Sequence, residues 1–193
     1  MITHISGKLT EKNPTYVIID CHGVGYFINI SLNTYSSIGS AEQLKLYTHL
    51  QIKEDAHTLY GFTTLAEREV FRLLISVSGI GTGIARTMLS SLTAKEVATA
   101  IATENVTAIQ SVKGIGAKTA QRVILDLKDK VLKIHEIEDI NISEGNTNKD
   151  EALSALEVLG FVRKQAEKVV QKIAAEDSEL SVEAIIKEAL KRL

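Results

Sequence analysis

Ser78-Gly79-Ile80-Gly81-Thr82-Gly83-Ile84-Ala85-Arg86-Thr87-Met88-Leu89 returns 35 residues later as Lys113-Gly114-Ile115-Gly116-Ala117-Lys118-Thr119-Ala120-Gln121-Arg122-Val123-Ile124. Gly-Ile-Gly and the following Ala coincide, and the apolar ends match in kind. Each copy lies between two amphipathic runs, so the glycines read as a tight hairpin that ends one helix and opens the next. A helix opens with unpaired N–H groups and the positive end of its dipole. A loop without Cβ atoms lets a phosphate approach close enough to use both.

The doubled hairpin resembles the tandem helix-hairpin-helix of DNA-binding proteins that grip the backbone without reading bases. A turn with isoleucine as a core plug accounts for a single copy equally well. The repetition, with Lys118 and Arg122 on the second helix, favours the phosphate reading. Candidate contacts are Gly79, Ile80, Gly81, Thr82, Gly83 and Arg86 in the first hairpin, and Gly114, Ile115, Gly116, Lys118, Thr119 and Arg122 in the second.

The net charge of −2 argues at first against nucleic acid, but the charge is unevenly spread. Lys and Arg against Asp and Glu number 4 and 5 over residues 1–62, 10 and 6 over 63–134, and 8 and 13 over 135–193. The one positive segment holds the hairpins, where phosphate has to be neutralised. So modest a charge predicts salt-sensitive, multivalent binding. With 193 residues, 45% of them hydrophobic, the chain can bury a substantial core. Cys21 is the only cysteine, which excludes a disulfide framework and a thiolate metal site and suits a reducing interior. No apolar run is long enough to span a membrane and no signal-peptide pattern opens the chain, so a cytoplasmic location is expected.

Residues 1–62 read as short strands at Thr3–Leu9, Tyr16–Cys21, Gly25–Ile30, Leu44–Leu50 and Thr58–Phe62, separated by turn signals. Five such strands suggest a small closed barrel of the OB-fold type. Between the last two strands Glu54 and Asp55 stand at a loop tip. A solvated turn is the plain explanation. In a protein suited to phosphate, however, exposed acids repel the ligand at that point and would serve as a wedge that excludes duplex. A metal pair for phosphodiester hydrolysis would need further ligands, and none is local.

Lys53-Glu54-Asp55-Ala56, followed by Leu59-Tyr60-Gly61-Phe62 and a helix, resembles the end of the first domain of the RuvA family, the Holliday-junction-binding subunits of bacterial branch-migration complexes. Met1-Ile2, Gly7 and Gly23-Val24-Gly25-Tyr26 fit the same family, and the similarity continues through both hairpins to the C-terminus. The family commonly places a Lys after the first hairpin, where this chain has Thr82-Gly83. Backbone N–H groups, the Thr82 hydroxyl and Arg86 are the candidate substitutes.

Residues 63–134 are expected to be helical throughout. Thr64-Leu65-Ala66-Glu67 and Thr93-Ala94-Lys95-Glu96 have the capping-box form, and Leu65, Phe71, Leu74 and Ile75 follow the first at helical spacing. Gly114-Ile115-Gly116-Ala117-Lys118-Thr119 ends like a P-loop but lacks the Gly before the Lys, and Gly79-Ile80-Gly81-Thr82-Gly83-Ile84 lacks the third Gly of a dinucleotide fingerprint. Neither a nucleotide site, a metal nor a cofactor is expected.

Residues 135–149 are acidic and polar with no sustained period, which predicts a mobile linker spanning roughly 20 Å. Residues 150–193 then read as a three-helix, UBA-like module: Glu151–Leu159 ended by Gly160, Arg163–Ala174, and Val182–Leu193 after Ser181. Leu153, Leu156, Val169, Ile173, Ile185, Ile186 and Leu190 are its expected core. An acidic module on a tether suits a protein partner better than DNA.

The expected architecture is therefore α+β and multidomain, with a five-stranded barrel over 1–62, tandem hairpins over 63–134, a linker over 135–149 and a helical module over 150–193. The resemblance implies a non-catalytic scaffold for four-way junction DNA, working in recombination, DNA repair and the SOS response. It implies a homotetramer or octamer whose Glu54 and Asp55 form an acidic pin. The implied partners are the hexameric ATPase RuvB, docked on 150–193, and a RuvC-type resolvase. Two other classes stand beside it. A general duplex-binding adaptor would use the hairpins alone. A helix-hairpin-helix glycosylase or nuclease would need a catalytic Asp beside a base pocket, and Asp126 and Asp129 have no such surroundings in the sequence.

Overall fold

Val17 and Ile19, and Leu44 and Leu46, recur at period two, which puts each pair on one face of its strand, and Ile28 and Ile30 keep that spacing past the end of theirs. All six are buried, with Ile5 and Ile38, in one cluster. The computed structural model describes residues 1–140, 148–176 and 180–193. In it these residues fill a barrel of β1 (His4–Asn13), β2 (Tyr16–Cys21), β3 (Val24–Asn29), β4 (Gln43–Ile52) and β5 (His57–Phe62). The strand order around the closed barrel is β1-β2-β3-β5-β4, with β3 and β5 parallel and the other pairs antiparallel. Closure leaves no sheet edge to aggregate. Two glycines permit it: a Cβ on Gly7 would lie 2.2 Å from the Asp20 carbonyl oxygen, and one on Gly61 would lie 2.6 Å from Ile28 Cγ2.

Between β3 and β4 the chain forms a short helix, α1 (Leu32–Ser37), where the sequence showed only a connection. Ser31 caps it, accepting from the Thr34 N–H. Six residues are too few for a helical period to register.

Five further helices follow: α2 (Leu65–Ser76), α3 (Thr82–Ser91), α4 (Ala94–Ala102), α5 (Val106–Gln110) and α6 (Ala117–Ile140). Phe71, Leu74, Met88, Leu89, Ile101, Ile109 and Leu127 are fully buried in their common core. Phe71 also receives the rings of Tyr60 and Phe62 at centroid distances of 5.2 and 4.9 Å, which fastens the last strand to α2. Leu65, expected in this core, is 37% exposed at the first turn of α2.

The two capping boxes turn out differently. Thr93 and Glu96 form the reciprocal pair in full. Thr64 caps α2, but the Glu67 carboxylate leaves it and is buried beneath α1. There it accepts from Ser31 Oγ at 3.0 Å and Thr34 Oγ1 at 2.7 Å, and from the Thr63 N–H at 3.2 Å. The side chain therefore binds α1 of the barrel to the start of the helical region.

The chain divides into two units, Met1–Glu138 and Asp139–Leu193. The expected linker at 135–149 requires correction at both ends: α6 continues to Ile140 and α7 begins at Asn148. No Gly or Pro interrupts the sequence from Ala117 to Ile140, so acidic composition alone does not stop the helix. Positions 141–147 of that expected linker lie outside the described residues. The second unit holds α7 (Asn148–Val158), α8 (Arg163–Glu176) and α9 (Val182–Arg192), packed through Leu153, Leu156, Val170, Ile173, Ile185 and Ala189. Val169 and Ile186 are only partly buried, and Leu190 is exposed, because the α9 core face runs through Ile185 and Ala189. Among the described residues no helix is long and apolar enough to cross a membrane.

Candidate nucleic-acid interface

The sequence repeat is also a repeat of backbone geometry. In the first hairpin the Val77 N–H donates to Leu74 O, Ile80 N–H to Val77 O and Ala85 N–H to Gly81 O. In the second, Val112 donates to Ile109, Ile115 to Val112 and Ala120 to Gly116. Gly79 and Gly114 occupy matching conformations, φ +96° and +94°, which a side chain rarely adopts. The two hairpins also meet reciprocally. A methyl group on Gly79 would sit 3.9 Å from Thr119 Cγ2, and one on Gly114 would sit 4.0 Å from Ile84 Cγ1, Thr119 being the repeat counterpart of Ile84.

Ile80 and Ile115 are buried, so their side chains plug the core and only their backbone belongs to the loops. Gly81 caps α3 with no side-chain hydrogen bond, which leaves the first N–H groups of that helix for a ligand. Gly79, Gly81, Gly83, Gly114 and Gly116 are all exposed. A phosphate reaching either turn would meet backbone donors and a positive helix end.

The side chains around the two turns differ. Where the second hairpin has Lys113, Lys118 and Arg122, the first has Ser78, Gly83 and Thr87. The three cations are exposed and, among the described residues, have no carboxylate partner. Lys113 was not singled out in the sequence, though its place just before Gly114 matches the pattern. Lys128, farther along α6, pairs with Glu104, whose carboxylate holds the ammonium above its ordinary value.

Thr82, Arg86 and Ser90, four residues apart on α3, face the barrel. Thr82 Oγ1 accepts from Tyr60 Oη at 3.0 Å and donates to Gln51 Oε1 at 3.2 Å. Arg86 Nη1 donates to Asn29 Oδ1 at 2.8 Å and to the Thr15 carbonyl at 3.4 Å. Ser90 Oγ accepts from the Leu32 N–H, and Asn33 donates to the Leu89 carbonyl at the other end of the helix. The two side chains expected to replace the missing Lys are thus used to seat α3 on the barrel. Thr119 is half-buried where the hairpins meet.

Glu54 and Asp55 occupy the tip of the β4–β5 hairpin. Ile52 pairs with His57, and the Lys53 N–H donates to the Ala56 carbonyl at 2.9 Å, which closes the loop beneath them. Both carboxylates are exposed. Asp126 and Asp129, the acids an enzymatic reading would use, are exposed on α6. The first unit therefore carries exposed backbone at two matching turns, three exposed cations around the second of them and an acidic projection.

Family comparisons agree along the length of the chain. The RuvA N terminal domain matches residues 1–61, the SAM-like helix-hairpin-helix tandem residues 71–129, and the RuvA C-terminal domain residues 147–193. A protein of Christiangramia forsetii is 66% identical, and one of Flavobacterium psychrophilum 62%, each over the full length of both chains. A relative in Bacteroides thetaiotaomicron is 46% identical, again with both chains covered in full. All three are named Holliday junction branch migration complex subunit RuvA.

Proposed function

The chain belongs to the RuvA family, and we propose that it is the junction-binding scaffold of a branch-migration complex, non-catalytic itself and working in the cytoplasm. The observation that carries this reading is the pairing of two geometrically equivalent glycine turns with an exposed acidic tip in one compact unit.

The hairpins hold the backbone of a DNA arm across its minor groove. They position the arm without reading its sequence, as a moving junction requires. The first contributes chiefly backbone N–H groups, and the second adds Lys113, Lys118 and Arg122. Four subunits surround the crossover, and Glu54 and Asp55 of each gather at its centre. A carboxylate about 7 Å from a phosphate in water is repelled by about 0.6 kcal/mol, whereas one base-pair step stacks by about 1.4 kcal/mol. One subunit's acids do not open a step, but those of a tetramer gathered at one point do.

Residues 1–62 supply the barrel and pin in this reading, 63–134 the DNA grip and 150–193 the motor dock. In the last of these, Val158, Leu159 and Val162 are exposed around the turn at Gly160, and Val158 is 88% exposed. They offer an apolar surface to a RuvB-type hexameric ATPase. A RuvC-type resolvase and the pairing of two tetramers are further associations consistent with the family. The test is a branch-migration assay on a movable four-way junction. Chain, RuvB-type ATPase and ATP together should resolve it into duplexes far faster than the ATPase alone, and equal rates with and without the chain would refute the reading.

A further inference from the structure

Thr82 opens α3 at the position where its hydroxyl could have faced a phosphate, yet its oxygen lies between Tyr60 and Gln51. Tyr60 is on β5 and packs against Phe71 in the helical core. Gln51 is on β4, opposite Thr58 and three residues before Glu54. The first phosphate-binding turn is thereby hydrogen-bonded to both strands of the β-hairpin that carries the acidic tip. A hydroxyl that both accepts and donates fixes its neighbours on two sides, and the partly buried setting strengthens both bonds.

We propose that Thr82 and Gln51 are positioning residues that set the acidic tip in register with the first hairpin, so that a backbone held at Gly81–Ile84 places the crossover against Glu54 and Asp55. The proposal rests on the pin reading given above. It also gives a physical role to the absence of a cation in this turn. The first hairpin serves as the reference point for the tip, while the second supplies the charge.

The test uses the full-length protein and an immobile four-way junction carrying 2-aminopurine at the crossover, whose fluorescence rises when the base unpairs. Gln51→Met removes the acceptor without touching a phosphate-binding turn. It should leave linear-duplex affinity unchanged and lower the fluorescence gain at saturating protein by about two- to tenfold, the scale of one lost hydrogen bond. Thr82→Val should lower the gain similarly, and Thr82→Ser, which keeps the hydroxyl, should restore it. Glu54→Gln/Asp55→Asn is measured in parallel. If that double variant loses the gain while Gln51→Met and Thr82→Val keep it, the positioning role is overturned and the pin stands. If the double variant also keeps the gain, the pin reading fails and the positioning role fails with it.

Discussion

Arg86 Nη1 donates to Asn29 Oδ1 across 2.8 Å, so the one cation on α3 beside the first hairpin is directed at the barrel. Lys118, on the opposite side of the repeat, is exposed and unpaired among the described residues. The two should therefore respond differently to truncation. Arg86→Ala is expected to cost about 1–2 kcal/mol of stability from its lost hydrogen bonds and to leave the salt dependence of DNA binding unaltered. Lys118→Ala should leave stability intact and reduce the slope of log affinity against log salt by about one per bound site. Chemical unfolding and salt titrations of both variants check this, and a flatter slope for Arg86→Ala would show that its guanidinium leaves Asn29 for phosphate.

Glu67 lies under α1 and accepts from the hydroxyls of Ser31, Thr34 and Thr63 and from the Thr63 N–H. Glu67→Ala strands those donors and is expected to destabilise the first unit by about 2–3 kcal/mol. Glu67→Gln retains an acceptor for them, and the hydroxyls can reorient, so its cost should be smaller. Urea unfolding followed by circular dichroism gives both values. Equal losses would mean that the negative charge, and not the hydrogen bonding, is what the site requires.

Gly79 and Gly114 were legible because a turn with positive φ admits glycine and little else, and the barrel strands were legible from alternation at residues such as Val17 and Ile19. The orientations of Thr82, Arg86 and Glu67 were not. On paper Thr82 and Arg86 are polar residues beside a phosphate site, and Glu67 completes a capping box. Each is redirected by a packing surface distant in sequence, β3 to β5 for the first two and α1 for the third. α1 itself is shorter than two helical turns. The extension of α6 to Ile140 was hidden because acidic composition resembles a linker, although no residue in the stretch breaks a helix.

His49 is half-buried beside the Phe71 ring, at 5.5 Å between centroids. Burial, then Arg72 and Arg68, lowers its pKa from the ordinary 6.5, and Glu69 opposes them weakly. The folded state therefore holds the imidazole neutral where the unfolded chain would protonate it. The resulting stability is fully present above pH 6.5 and is lost as pH falls below 6.5 towards the folded value. Unfolding midpoints between about pH 5 and 8 should decline on the acid side, and His49→Gln should flatten that limb. An unchanged limb would assign the pH dependence to other groups.

Val158 and Val162 flank the turn at Gly160 with their side chains largely in solvent. Val158→Glu/Val162→Glu should leave the fold and junction affinity unchanged, since neither residue is in the core of its unit. Stimulation of a RuvB-type ATPase on junction DNA should fall at least tenfold, to about the loss expected when a central apolar contact is replaced by charge. Full stimulation by the double variant would rule out the apolar turn at Gly160 as the contact.

If hairpins and acidic tip together select a junction, competition binding reads that selection. Purified protein is titrated with an immobile four-way junction and with linear duplex of equal length, at low and at moderate salt. The junction should be preferred, and the preference should persist as salt weakens both affinities, because it derives from shape and from the tip as well as from phosphate charge. Equal affinities falling together with salt would contradict it and leave the hairpins as general duplex clamps.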